Sequence, residues 1–228
     1  VGSEMCIRDR IGDGQIRLAV GGAIERSSGY GFTNRGPIRL LIELMLLFGS
    51  AFDTDPQYPW TSEILNASSD QMIRAERLYE RVLDYQEKVP DSDPARVRKV
   101  LEGLPEWAGK HESSSITEYT SDMLREMARL LPQKTAYVGD EGLIDLVLKG
   151  CAEAERYQVL KVHGQAVMGV LMFTFGHGCI NDPLYPWIAQ ILTDKRVTDP
   201  AGRAVLLEKE ACVFLERMIS IQQEGEQT

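Results

Sequence analysis

The chain has 228 residues and a formal net charge of −9, with 43% hydrophobic and 26% charged residues. This composition is typical of a globular protein that can bury a core, and the length permits one large domain or two of ordinary size. An acidic chain with no stripe of Lys and Arg argues against a nucleic-acid partner. The strongest apolar run, residues 166–175, is about half the ~20 residues of a membrane span, so none is predicted.

The first ten residues, VGSEMCIRDR, show neither the period of a helix nor that of a strand. The segment from Glu4 to Arg10 resembles a translation of the transposon end used in preparing sequencing libraries. We therefore expect residues 1–10 to be an artefact and leave them out of the fold prediction; the alternative is a genuine N-terminus that matches by chance. On the first interpretation, the natural chain is a fragment cut on its N-terminal side.

The chain beyond residue 10 contains three cysteines, Cys151, Cys179 and Cys212. An odd number without paired spacing argues against a disulfide framework or a zinc knuckle. We therefore expect them to be small buried side chains in a reducing compartment, which predicts a cytoplasmic protein.

Hydrophobic periodicity predicts helices along almost the whole remaining chain. In the first half, the predicted helices cover residues 15–28, a segment that opens at Pro37, residues 60–65 and residues 70–86. Further along, helices are predicted from Asp93-Pro94 to about residue 102, at 117–131, from 138 onward and from Pro200. Pro132 is expected to end the helix before it, and the polar segment 111–116 is the best candidate linker.

One stretch of the sequence occurs twice. Residues 44–65 return as residues 171–192, an offset of 127, with 11 of 22 aligned positions identical. A fixed-period repeat determines the architecture, so we predict an all-α protein of two tandem, pseudo-symmetric helical units, 11–110 and 117–228. Because the matching register stops at residue 10, we expect the first unit to lack its opening helix.

The repeated motif is Asp-Pro-x-Tyr-Pro-Trp, at residues 55–60 and 182–187. An aspartate before proline can accept nearby backbone N–H groups, and the second proline suits the start of a helix. The rings supply large apolar bodies with one polar atom each, so we favour a structural corner between helices. The alternative is a ligand pocket, whose binding residues would be Asp55, Tyr58, Trp60, Asp182, Tyr185 and Trp187.

The second copy also contains His177 and Cys179 close to Asp182, which could supply metal ligands or a nucleophile pair. At the equivalent positions the first copy has Ser50 and Phe52, and only the aspartate recurs. Neither a CxxC nor an HxxxH pattern supports a site. We therefore predict no catalytic residue, no metal and no cofactor, and keep His177 and Cys179 as weak metal candidates.

Asp53 and Asp55 could form an acid–base pair. The second copy has Ile180 in place of Asp53, so the pair is present in one copy only. We expect these residues to be exposed loop carboxylates.

At Gly139–Gly142, Phe175-Gly176 and the 182–187 motif, the chain resembles a group of uncharacterised bacterial helical proteins, often encoded beside type VI secretion or polymorphic-toxin genes. The resemblance covers most of residues 117–195 and, in its second occurrence, residues 11–65. It implies a helical fold and brings no catalytic residue with it.

From this resemblance and the motif, we expect a non-enzymatic protein-interaction module. It would be an accessory, chaperone-like or immunity partner of a bacterial secreted effector. We thus expect a protein partner, and a homo-oligomer is left open. The alternative is a small-molecule- or metal-binding enzyme that uses the loop from His177 to Asp182.

Overall fold

The computed structural model describes residues 12–89, 94–112, 115–159 and 161–226, with side chains to residue 220. In these ranges the chain is all-α, as predicted, with ten α-helices, two short 3₁₀ turns and no strand. The predicted artefact, residues 1–10, lies outside the described residues. None of the helices in these ranges combines the length and the apolar character needed to cross a membrane.

Four helices form the first half: α1 (Asp13–Gly29), α2 (Arg35–Phe48), α3 (Pro59–Leu65) and α4 (Gln71–Lys88). A 3₁₀ turn at residues 52–54 connects α2 to α3. Pro59 occupies the first turn of α3, where its missing N–H costs no hydrogen bond. Helix α4 begins after Asp70 because that carboxylate accepts a hydrogen bond from the Met72 N–H, at 2.8 Å.

Six helices follow: α5 (Pro94–His111), α6 (Ile116–Leu130), α7 (Pro132–Arg156), α8 (Val162–Phe175), α9 (Pro186–Thr193) and α10 (Pro200–Glu226). A 3₁₀ turn at residues 179–181 connects α8 to α9. Ser115 and Glu118 cap the start of α6 reciprocally. Gly139, with φ of +77°, interrupts the helical backbone inside α7.

Two of the predicted helix boundaries differ from the structure. Helix α5 continues past residue 102 to His111 and includes Pro105; the flanking Leu104 and Ala108 are buried, and their packing offsets the one backbone hydrogen bond that Pro105 removes. Helix α6 ends at Leu130, before Pro132, as predicted, but Pro132 also begins α7, which the sequence predicted to start at residue 138. Helices α5 and α6 thus extend into both ends of the predicted linker, 111–116.

The buried side chains form two hydrophobic clusters. The smaller one draws on α1 to α4, with Leu41, Leu44 and Leu78 near its centre. The larger one draws on α5 to α10. Helix α5, which the sequence analysis assigned to the first unit, contributes Val97 and Leu101 to the larger cluster, so this helix packs with the second half of the chain.

Helix boundaries recur between the halves at the offset of 127 residues seen in the sequence. Helix α2 ends at Phe48 and α8 at Phe175. Helix α3 begins at Pro59 and α9 at Pro186. Helix α1 matches the part of α7 that follows Gly139. The motif therefore stands between corresponding helices in both places.

Candidate functional site

The chain segments that follow α2 and α8 meet at two glycines, and we call this contact the junction. Gly49 and Gly176 have φ of +95° and +92°, a conformation that L side chains rarely adopt. A Cβ on Gly49 would lie 2.6 Å from the Phe175 carbonyl oxygen, and one on Gly176 would lie 2.6 Å from that of Phe48. The two backbones therefore touch where a side chain would not fit.

The two motif aspartates tie the junction together in a reciprocal manner. Asp55 Oδ2 accepts a hydrogen bond from the His177 N–H, at 2.7 Å. Asp182 Oδ2 accepts one from the Ser50 N–H, also at 2.7 Å. Each carboxylate thus holds the segment that follows the helix of the other copy, and both side chains are only 2% exposed.

The second oxygen of each aspartate holds its own loop. Asp55 Oδ1 accepts from the Gln57 N–H at 2.9 Å, and Asp182 Oδ1 accepts from the Leu184 N–H at 2.8 Å. The Gln57 side chain adds a further bond across the junction, from Nε2 to the Met172 carbonyl oxygen at 3.2 Å. Buried carboxylates of this kind need such donors, because an unpaired buried charge is costly.

His177 makes the two carboxylates electrostatically unequal. Its Nδ1 lies 3.2 Å from Asp55 Oδ2, an ion-pair contact that lacks the alignment of a hydrogen bond. Burial by itself raises the pKa of Asp55, but the contacts with His177 outweigh it and lower that pKa. Asp182 faces Ser50 rather than an imidazole, and burial raises its pKa despite the backbone hydrogen bonds it accepts.

Replacing His177 with serine, the residue at the equivalent position of the first copy, is expected to raise the pKa of Asp55. Because the folded pKa lies below the ordinary 3.8, ionised Asp55 contributes stability above that pH and loses it as the pH falls through the folded pKa. The stability gap between wild type and His177→Ser should therefore close on acidification. Carboxyl NMR titration and denaturant melts between about pH 2 and pH 7 measure both effects.

The matched variant is Ser50→His, which places an imidazole beside Asp182. In the wild type the folded pKa of Asp182 lies above 3.8. The contribution of Asp182 to stability is therefore present below that pH and is lost as the pH rises through the folded pKa. We expect Ser50→His to lower the pKa of Asp182. An unchanged pKa of Asp55 in His177→Ser would contradict this account of the asymmetry.

The motif rings pack against protein side chains. The Tyr58 ring lies 4.4 Å from the Phe48 ring, and the Trp60 ring lies 6.1 Å from it. In the second copy, the Tyr185 ring lies 4.6 Å from that of Phe175. Tyr58 and Trp60 are buried, whereas Tyr185 and Trp187 are partly buried. These contacts are those of a corner that joins the last aromatic residue of a helix to the next helix.

In the loop from His177 to Asp182, the thiol is buried and the polar side chains at the two ends of the loop contact protein groups. Cys179 is buried, and burial raises the pKa of its thiol far above the ordinary value, whereas a nucleophilic cysteine needs a lowered pKa. His177 contacts Asp55, and Asp182 accepts two backbone hydrogen bonds. Among the described residues, no group of three or more His, Cys, Asp or Glu side chains is placed to hold a metal ion.

The expectation that Asp53 and Asp55 are exposed loop carboxylates is wrong, because both are buried. Asp53 accepts hydrogen bonds from Arg26 Nη1 at 2.6 Å and from the Tyr30 hydroxyl at 2.7 Å. Burial, together with this hydrogen bond, raises the pKa of Tyr30 to about 12. Each carboxylate thus accepts hydrogen bonds from its own set of donors.

Lys134 is a polar residue near the junction that sequence reasoning missed. Its side chain is buried, and its Nζ donates to the Phe173 carbonyl oxygen at 2.5 Å. Burial lowers the pKa of this lysine to about 8, against an opposing effect of the Asp55 charge. A lysine in the first turn of a helix is ordinarily exposed, so its position in the sequence gave no signal.

Comparison of the chain with known protein families, with curated proteins and with solved structures gives no significant match. The carboxylates of the junction hold backbone amides and its rings pack between helices, so the junction joins the two halves.

Proposed function

We propose that the protein is a non-enzymatic interaction module of two related, pseudo-symmetric helical units, and that the outer face of α4 binds an amphipathic helix of a partner protein. The relation between the units is supported by the matching helix boundaries and by the reciprocal bonds of Asp55 and Asp182. It is supported also by the recurrence of the motif in the sequence.

The observation that carries the binding proposal is an apolar stripe on α4. Met72, Tyr79 and Leu83 are 52%, 54% and 48% exposed. Their spacing of seven and four residues puts them on one side of the helix. Ile73 beside them is also exposed. Isolated apolar residues are normal on a surface, but several exposed apolar residues on one side of a helix indicate an interaction site, here with exposed Glu76 among them.

Helix α10 supplies a comparison for this stripe. It begins directly after Asp199, whose carboxylate accepts a hydrogen bond from the Ala201 N–H, just as α4 begins after Asp70, whose carboxylate accepts one from the Met72 N–H. In that register, buried Leu78 matches buried Leu207. Helix α10 is covered by α5, whereas α4 packs mainly on α2, α3 and α7 and, through Gln71, on the loop at Thr33 and Asn34. The second half thus provides a cover that α4 does not have.

The residues around the stripe indicate the chemistry of the partner helix. Glu76 and Glu80 are exposed on α4, and the chain as a whole is acidic. In the second half, the covering helix α5 carries Arg98, which pairs with Glu216 of α10 at 2.9 Å. We therefore infer a partner helix with an apolar stripe flanked by basic residues. A secreted effector with such a helix would make this protein its accessory, chaperone-like or immunity partner.

A synthetic peptide with the sequence of residues 94–111, the α5 helix, serves as the probe. We expect it to bind the folded protein in trans, and Leu83→Glu to weaken binding by roughly 10- to 100-fold, because the variant puts a charge into the apolar contact. Fluorescence anisotropy of the labelled peptide measures this affinity. The peptide should also shift the amide NMR signals of α4.

The matched control is Val205→Glu, which makes the same kind of change at an exposed apolar residue of α10 (54% exposed). Its affinity for the peptide should equal that of the wild type. The proposal is contradicted if the peptide binds Leu83→Glu and Val205→Glu equally well, or if it does not bind the wild type. In a pull-down from bacterial cells, a stoichiometric partner should be retained by the wild type and by Val205→Glu, and lost with Leu83→Glu.

A further inference from the structure

A cavity of about 120 Å³ lies between the two halves, beside the junction. One water needs roughly 10–15 Å³ of such space, so the cavity has room for a small organic molecule. Leu47, which is 46% exposed, and Gln86 line its mouth. Its walls are aromatic rings from both halves, namely Phe48, Tyr58, Tyr85, Phe175 and Tyr185.

Lys134 lines the same cavity, and its side chain is only 5% exposed. An ammonium group has three N–H donors. Within the described residues it makes one hydrogen bond, to the Phe173 carbonyl oxygen at 2.5 Å. The Nζ also lies 4.9 Å from the centre of the Phe173 ring and 5.7 Å from that of Tyr58. Two buried donors thus remain for an acceptor in the cavity, and buried donors left unpaired are unfavourable.

Asp55, the carboxylate whose charge acts on Lys134, does not neutralise this lysine by direct contact. The two oxygens of Asp55 accept hydrogen bonds from the N–H groups of His177 and Gln57. No carboxylate of the described residues lies within ion-pair distance of Lys134. The Asp55 charge opposes the lowering of the lysine pKa that burial causes. Lys134 is therefore a buried cation with one carbonyl acceptor, two ring faces and no carboxylate in contact, an arrangement that favours an added anion.

We propose that this cavity binds a small organic carboxylate, whose oxygens accept the two free N–H groups of Lys134 and whose apolar body lies against Phe175 and Tyr185. A charged acceptor makes a stronger hydrogen bond to an ammonium than a neutral one does. An inorganic phosphate or sulfate has no apolar body to place against the rings. A cationic ligand would be repelled by Lys134.

Benzoate is the probe, and benzamide, which has the same ring and no charge, is its control. Isothermal titration calorimetry with the full chain should show saturable benzoate binding, with benzamide at least tenfold weaker. Because only the ammonium form binds, benzoate affinity should fall roughly 30-fold between about pH 6.5 and pH 9.5, as expected for a lysine pKa of about 8. Asp55, Tyr58, Tyr85 and Tyr185 are the other titratable groups that face the cavity or the amine.

Two variants locate the binding. Lys134→Met should abolish benzoate binding, and Leu47→Trp should do the same by filling the exposed mouth while leaving the core intact. Exposed Lys195→Met is the control for non-specific attraction to lysines, and its affinity should be that of the wild type. The proposal is overturned if benzoate does not bind the wild type, if benzamide binds equally well, or if benzoate binds Lys134→Met or Leu47→Trp as it binds the wild type.

Discussion

Replacing Asp55 with alanine is expected to reduce the free energy of unfolding by about 2–6 kcal/mol, since each of two buried donors left unpaired costs about 1–3 kcal/mol. The variant removes the acceptor of the His177 N–H across the junction and of the Gln57 N–H within the loop. Because Asp182 makes the equivalent two bonds, Asp182→Ala should have a similar effect. Urea denaturation at neutral pH measures both changes.

The control for these variants is Asp145→Ala, which removes an exposed carboxylate that pairs with Lys149 at 3.4 Å on the surface of α7. Surface pairs of this kind contribute at most about 1 kcal/mol, so we expect little change. The double variant Asp55→Ala/Asp182→Ala should lose less unfolding free energy than the sum of the two single losses, because both residues stabilise the same contact. A change below about 1 kcal/mol for Asp55→Ala would contradict the role assigned to the junction.

Gly49→Ala is the second substitution with a large expected effect, about 3–5 kcal/mol of unfolding free energy. The backbone at Gly49 has φ of +95°, which costs an alanine conformational energy. The new Cβ would also lie 2.6 Å from the carbonyl oxygen of Phe175, so the two halves would have to separate locally. Thermal and urea unfolding of Gly49→Ala measure the combined cost.

Gly139→Ala separates the two contributions. Gly139 has φ of +77°, and a Cβ there would meet nothing within 4 Å. This variant should therefore lose only the conformational part, about 1–3 kcal/mol. The difference between Gly49→Ala and Gly139→Ala then reports the close approach of the backbones, and equal losses would show that the approach is unimportant.

Much of the local structure follows from the sequence. The all-α class follows from hydrophobic periodicity, since helix-spaced apolar residues have to be buried on one face. The Asp-Pro pattern correctly predicted carboxylates that accept backbone N–H groups two residues further on, as Asp55 and Asp182 do. Each of these features depends only on residues a few positions apart, within reach of one turn of chain.

The partners across the junction could not be predicted in the same way. The bond from His177 to Asp55 joins residues 122 apart in sequence, and that from Ser50 to Asp182 joins residues 132 apart. Their donors are backbone N–H groups, which every residue except proline carries. No residue type therefore marked these positions, and Asp53 and Asp55 looked like ordinary exposed loop carboxylates.

The same difference between local and long-range contacts applies to the whole protein. By itself, the sequence determined the helices, the recurrence of the Asp-Pro-x-Tyr-Pro-Trp corner and the lack of a repeated His or Cys, because periodicity and capping are local properties. Only the tertiary structure decided that the two corners hold each other, that Lys134 is buried beside a cavity, and that α4 keeps an uncovered face. These properties depend on which distant segments meet, and hence on packing rather than on the identity of neighbouring residues.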